Sequence, residues 1–174
     1  MSHSQDQLLG EGKYLRLLSR DTWEFAQRIG ARGVVGIIAV TPQRKLLLVE
    51  QYRRAVNARV IEVPAGLAGD TELAREEALA EAARRELIEE TGYDADRFTL
   101  LARGPSSAGL TDEIVVLYRA EGLRRVSGGG GDASEQITVL EVPVDQLADW
   151  LRARTAEGRL IDFKAWAALA FIRD

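Results

Sequence analysis

Glu86, Glu89 and Glu90 stand close together just before Thr91-Gly92. On a helix that turns about 100° per residue, Glu90 lies about 40° and Glu89 about −60° from Glu86. The three carboxylates therefore share one face. Leu79 and Ala83 fall on the same face, at about 20° and about 60°. A solvated acidic stripe sits opposite the apolar side of a helix, whereas this one overlaps it. Carboxylates gathered near a packed face repel one another and lose water, so a cation or a proton must stabilise them. Hard divalent ions such as Mg²⁺ take oxygen ligands, usually beside substrate phosphates. Arg85 lies one turn before Glu89 and is placed to pair with it and orient it. Glu77 projects at about 180°, on the far side, and reads as structural. The competing reading is an exposed helix laced with favourable charge pairs, and spacing alone does not separate the two.

The rest of the composition narrows the chemistry. The chain has 174 residues, one ordinary domain's worth, and is 46% hydrophobic and 29% charged, which excludes a fully disordered chain. It has no cysteine and one histidine, His3, so disulfides, thiolate metal sites and a histidine-based mechanism are not expected. A reducing cytoplasm is the expected compartment. The opening residues carry no secretory pattern, and no apolar run reaches the roughly 20 residues of a membrane span. Formal net charge is −4, from 23 Lys+Arg against 27 Asp+Glu. Residues 72–90 hold seven glutamates against three arginines, so this window alone accounts for the excess. A balanced surface with one acidic segment argues against a nucleic-acid binder and permits a local cation site.

The elements that position this helix follow from pattern. A loose tail is expected over the first eight or nine residues. Lys13–Arg20 and Thr22–Ile29 read as a half-buried hairpin, with Trp23 and Phe25 at alternating positions. Val34–Val40, Lys45–Tyr52 and Arg59–Val63 read as strands, the last ended by Pro64. Ala65–Thr71 is predicted as a loop with Asp70 or Thr71 as N-cap, and Glu72–Thr91 as one long helix stopped by Gly92. Strands are predicted near Phe98–Arg103, Ile114–Arg119 and Ile137–Val142. Loops are predicted at Gly104–Glu113 and Ser127–Glu135, and helices at Val144–Arg154 and Phe163–Ile172. The order points to layered α+β rather than regular βαβ alternation.

Arg85-Glu86-Leu87-Ile88-Glu89-Glu90-Thr91-Gly92-Tyr93, with Glu77 preceding it, resembles the core of the Nudix box. Gly66 departs from the pattern: ten residues separate it from Glu77 where the family has five, so the intervening loop carries five extra. Val49–Arg53 and Ile61–Gly66 resemble the segments that precede the box in ADP-ribose pyrophosphatases. Ser107–Glu113 is similar to their Ser-Pro-Gly loop, with Ala108 in place of the proline. Gly128–Ile137 is similar to their late acidic loop. The likeness runs over roughly residues 12 to 173.

The resemblance implies an α+β fold, a Nudix-type α/β/α sandwich with a mixed sheet, preceded by a small N-terminal antiparallel β element. It divides the chain into an N-terminal tail and hairpin over 1–32, for dimerisation or substrate contact, and a hydrolase domain over 33–174. It implies cleavage of a nucleoside diphosphate sugar such as ADP-ribose with Mg²⁺ or Mn²⁺, and a homodimer without nucleic-acid or membrane partners. Metal ligands would be Glu86, Glu90, Glu89, Glu135 and the Ala65 carbonyl. Substrate contacts would come from Arg53, Glu62, Gly66, Leu67 and Glu113. The usual base position is filled by Ala133, which leaves Glu113, Asp132, Glu135 and Glu89 as candidates. Trp23 and Phe25 would stack on adenine or serve as core and interface. GDP-mannose is an alternative substrate, and a non-catalytic nucleotide-sugar-binding module an alternative role. An isoprenoid isomerase is disfavoured by the missing cysteine and histidine.

Overall fold

The computed structural model describes residues 6–69, 78–131 and 136–172. Three antiparallel strands come first: β1 (Gln7–Glu11), β2 (Leu15–Arg20) and β3 (Trp23–Arg28), in the order β1-β2-β3. The loose tail expected at the start is replaced in part by β1. That strand is exposed along its whole length, so it carries no hydrophobic alternation by which it could have been read. In the hairpin only Leu18 and Phe25 are buried; Trp23 is exposed.

The central elements are β4 (Gly33–Ala39), β5 (Lys45–Arg53), β6 (Ala58–Glu62), β7 (Ala65–Ala68) and α1 (Leu79–Thr91). They are followed by β8 (Tyr93–Asp94), β9 (Arg97–Pro105), β10 (Ile114–Glu121) and β11 (Arg124–Arg125). The chain ends with β12 (Thr138–Pro143), α2 (Leu147–Ala156), β13 (Leu160–Ile161) and α3 (Phe163–Phe171). One mixed sheet has the order β7-β4-β10-β9, with β4 and β10 parallel. A second has the order β12-β5-β6-β13, with β6 and β13 parallel. A short β11-β8 ladder adds to these.

Residues alternate along β4 and β5 between two cores. Val35, Ile37 and Leu47 pack with Ala82, Ala83 and Leu87 of α1. Ile38, Leu46 and Leu48 pack with Leu147 and Leu151 of α2 and Ala165 and Ala168 of α3. The strands thus read as continuous apolar runs because both faces are covered, α1 on one side and α2 with α3 on the other. Among the described residues no helix is long and apolar enough to cross a membrane.

Two further expectations change. Ala65–Ala68 is a strand, antiparallel to β4 with Gly36 opposite Ala65 and Val35 opposite Gly66. Its small residues look like a turn because the room beside them is taken by helix side chains. The long helix begins later than predicted: Ala78 is extended, with φ −69° and ψ 148°, and α1 starts at Leu79. The Glu81 carboxylate accepts the Ala78 N–H at 3.3 Å, the returning half of a capping box. A stretch so rich in helix formers gave no composition signal for that boundary. The predicted caps Asp70 and Thr71, and Glu77, lie outside the described residues.

The far side of α1 is tied down by charge. The buried Asp94 carboxylate accepts from Arg84 at 2.7 and 2.8 Å, pairs with Arg124, and accepts the Ala95 N–H at 2.8 Å. Arg84's hydrogen bonds, above all, hold the Asp94 carboxyl at about 2, against the opposing pull of burial. An Asp lowered to that extent contributes stability of about 2 kcal/mol that is complete above the ordinary carboxylate range and disappears as pH falls through its folded value. The melting midpoint is therefore expected to drop between about pH 5 and pH 2. Asp94→Asn is expected to lower it at neutral pH and flatten that part of the profile. A parallel profile in parent and variant would contradict the assignment.

Candidate functional site

The C-terminal half of α1 is built to hold carboxylates in place. Glu90 is only 4% exposed, and its Oε2 accepts the Ala65 N–H at 3.0 Å. Glu86 points at the next residue of the same strand. A Cβ on Gly66 would overlap the Glu86 carboxylate, so the absent side chain is the space that the glutamate fills. Arg85 donates to Glu86 at 2.8 Å, to Glu89 at 3.4 Å and to the Leu67 carbonyl at 3.0 Å. The predicted Arg85–Glu89 pair is present. The closer bonds fasten Arg85 to Glu86 and to β7, so helix and strand are joined through one guanidinium.

The helix end explains the glycine tract. Gly92 adopts φ 76° and returns its N–H to Ile88. Gly131 then donates to the Glu89 carbonyl at 3.0 Å and Gly130 to the Glu90 carbonyl at 2.8 Å. Val126 and Ser127 donate to the Gly92 carbonyl at 2.8 and 3.1 Å. A Cβ on Gly92 or Gly129 would collide with the opposing backbone. The four glycines therefore form a cap in which the loop backbone lies directly on the helix terminus. This fixes the start of the late acidic loop beside Glu89 and Glu90. Glu135, with Asp132 and Ala133, lies outside the described residues.

These groups open into a cavity of about 390 Å³. Eight of the predicted residues line it: Arg53, Glu62, Ala65, Gly66, Leu67, Glu86, Glu90 and Glu113. Glu89 does not; its side chain is about half exposed and faces Arg85. Arg53 Nε donates to the buried Glu62 carboxylate at 2.6 Å, which holds the guanidinium at the wall. Glu113 accepts from Arg28 at 3.0 Å, so β3 closes one side. Further contacts join the N-terminal sheet to the loop after β9. Trp23 Nε1 donates to the Gly109 carbonyl at 3.3 Å, Ala26 N to the Leu110 carbonyl at 2.8 Å, and Gln27 to Asp112 at 2.7 Å.

Four wall residues escaped sequence reasoning as site residues: Val34 and the polar Arg28, Gln51 and Lys164. Gln51 stands two positions before Arg53 on the same strand face, and this period-two relation was the available signal. Lys164 lies in a helix whose apolar pattern drew the reading elsewhere. Only the tertiary fold brings it here.

The donor set fits a hard divalent cation. Glu86 and Glu90 offer anionic oxygens from one helix face, the space beside Gly66 admits the Glu86 carboxylate, and Ala65 supplies backbone next to both. Glu86 and Glu90 both line the cavity, and among the described residues no group of three or more His, Cys, Asp or Glu is gathered to hold a metal ion.

The NUDIX domain family matches residues 30–163, more than half of the chain. A Bacillus methanolicus protein named methanol dehydrogenase activator is 34% identical over 81% of this chain and 72% of its own length. The ADP-ribose pyrophosphatase of Bacillus subtilis is 33% identical over 70% of this chain and 64% of its own, under two thirds of that relative. The GDP-mannose pyrophosphatase of an Enterobacter species is 30% identical over 75% of this chain and 68% of its own. A solved ADP compounds hydrolase superposes with TM-score 0.67 at 19% identity, over 85% of this chain and 80% of that one, which is likeness of fold.

Gly66→Ala tests the helix–strand contact. The atoms in the way are the far end of a flexible side chain, so the fold is expected to survive while the Glu86 carboxylate is displaced. The melting midpoint is expected to stay within a few degrees, and turnover to fall by at least about tenfold, the scale of a misplaced binding group. Unchanged turnover would show that the carboxylate does not need its present place.

Proposed function

This chain belongs to the NUDIX domain family, and from that premise we propose that it is a divalent-metal-dependent hydrolase of nucleoside diphosphate sugars. ADP-ribose, cleaved to AMP and ribose 5-phosphate, is the foremost substrate. The observation that carries the reading is the pair Glu86 and Glu90, locked against Ala65–Gly66 at the wall of a cavity that also presents arginine and lysine.

Glu86, Glu90 and the Ala65 carbonyl, with Glu89 and Glu135 in support, would hold Mg²⁺ or Mn²⁺. When bound, the ion supplies neutralisation of the phosphates and activation of water. Arg53 binds a phosphate oxygen or stacks on the base, held in orientation by Glu62. Gly66 and Leu67 place backbone beside the diphosphate. Glu113, fixed by Arg28, contacts the terminal ribose. A water oxygen attacks one phosphorus, and the bond from that phosphorus to the bridging oxygen breaks. A glutamate takes the water proton; Glu113, Glu89 and Glu135, with Asp132, remain the candidates. No covalent nucleophile is required, in keeping with a chain free of cysteine.

We place residues 1–32 as a separate element that closes the cavity and joins two copies. Tyr14, Leu15, Leu17 and Trp23 expose apolar surface on it, which a second copy would cover. The cytoplasm is the proposed compartment.

A second reading keeps the fold and drops the chemistry. The relative named as an activator favours a module that binds nucleotide sugars and regulates another protein. Retention of Glu86, Glu89 and Glu90 favours hydrolysis.

Incubation with ADP-ribose and Mg²⁺ is expected to release AMP, with GDP-mannose in parallel to rank the substrates. Glu90→Gln is expected to slow release by at least ~10²-fold, as when a main electrostatic stabiliser is lost. Tight nucleotide binding without turnover in either metal would favour the regulatory module. A loss under about fivefold in the variant at saturating metal would remove the helix face from the site.

A further inference from the structure

A row of polar side chains crosses the second sheet. Glu50 of β5 stands opposite Thr138 of β12 in one ladder and opposite Ile61 of β6 in the other. Arg59, two residues before Ile61 on β6, is therefore the diagonal neighbour of Glu50 on the same face. Its Nε donates to the Glu50 carboxylate at 3.1 Å and its Nη2 to the Glu50 carbonyl at 3.0 Å. Arg159, just before β13, donates to the other Glu50 carboxylate oxygen at 3.3 Å. The row thus runs from β12 to the entry of β13.

Arg59 also reaches past the ladder. Its Nη2 lies 3.3 Å from the Thr138 hydroxyl and 3.5 Å from the Gln136 carbonyl. The pairing of β12 with β5 begins at Thr138, so this contact extends the hold of the sheet two residues back toward the late acidic loop. The other end of that loop is fastened to α1, through the Gly130 and Gly131 N–H groups on the Glu90 and Glu89 carbonyls. Residues 132–135 are what separates Gly131 from Gln136, and they include Asp132 and Glu135. Five peptide units span at most about 18 Å, so a shift of either anchor is passed to the acids between them.

The residue type fits this task. A guanidinium presents several N–H groups in a fixed fork and meets the Glu50 carboxylate and the end of the loop at once, which a single ammonium cannot do. Neither Arg59 nor Glu50 is among the described residues of the cavity wall, so both act from outside it.

Resting on the proposed hydrolase reading, we infer that Arg59 is a positioning residue for the late acidic loop. It fixes where that loop joins β12, and thereby sets how Asp132 and Glu135 stand to the edge formed by Glu86 and Glu90. It touches neither substrate nor metal and takes no proton in the reaction.

Parent, Arg59→Lys, Asp132→Asn/Glu135→Gln and the combination of all three substitutions are compared in two measurements. One is steady-state hydrolysis of ADP-ribose with Mg²⁺; the other is Mn²⁺ affinity by electron paramagnetic resonance. A lysine keeps a charge for Glu50 and loses the fork, so the melting midpoint of Arg59→Lys is expected to stay within a few degrees of the parent. Its kcat is expected to fall by about fivefold or more with KM changed less than about threefold, and its Mn²⁺ affinity by about threefold or more. In the background lacking both acids, Arg59→Lys is expected to change either quantity by less than about twofold, because the loop then has no carboxylate to place. A parent that releases no AMP sinks the hydrolase reading, while the Mn²⁺ comparison still judges the anchor. Equal kcat and Mn²⁺ affinity in parent and Arg59→Lys overturn the inference. So do equal losses in the two backgrounds, or losses that follow a matching fall in melting midpoint.

Discussion

Two carboxylates held against a strand backbone set the terms for the rest of this molecule. Glu90 is buried and accepts the Ala65 N–H, and Glu86 fills the side-chain space that Gly66 leaves free. Removing such groups from water is costly unless opposite charge or hydrogen bonds replace the solvent. Arg85 supplies part of that compensation and also fastens the helix to β7 through the Leu67 carbonyl. The end of α1 adds to the demand. Its terminal carbonyls are the negative end of the helix dipole, and the last turn carries no basic residue. Negative potential is thus concentrated at one edge of the cavity, and a divalent cation is the group that this edge suits.

The surrounding elements can be understood as holding that edge still. Asp94, Arg84 and Arg124 pin the helix on its outer side, and the glycine tract closes its last turn by direct backbone contact. The loop thereby leaves the helix end at a fixed place, with its acidic residues following at once. On the opposite side the N-terminal sheet ties itself to the loop after β9 through Trp23, Ala26, Gln27 and Arg28. The cavity is accordingly bounded by segments far apart in the chain, each held by polar contacts where apolar packing alone would allow sliding.

How much of this could be read in advance depends on whether a local signal existed. The acidic face of α1, the Arg85 contact and the strands β4, β5 and β10 carry strong periodicity or continuous apolar runs, and they were legible. The resemblance also placed Arg53, Glu62, Gly66 and Glu113, all of which line the cavity. Strand β7 was hidden because Ala65-Gly66-Leu67-Ala68 has the composition of a turn; it is a strand through its ladder with β4, about thirty residues earlier, and Gly66 leaves room there for Glu86. The beginning of α1 was hidden because Ala and Glu favour helix on both sides of Ala78. Lys164 and Gln51 were missed for a third reason. Their neighbours in sequence give ordinary helix and strand patterns, and only long-range packing brings them to one wall.

Manganese titration followed by electron paramagnetic resonance, on the parent and on the double variant Glu86→Gln/Glu90→Gln, tests the central claim most directly. The parent is expected to remove free Mn²⁺ signal in a saturable manner, and the double variant to leave it, with both chains showing the same secondary structure by circular dichroism. Equal depletion by the two proteins, or none by the parent, would contradict the assignment of this helix edge as a cation site.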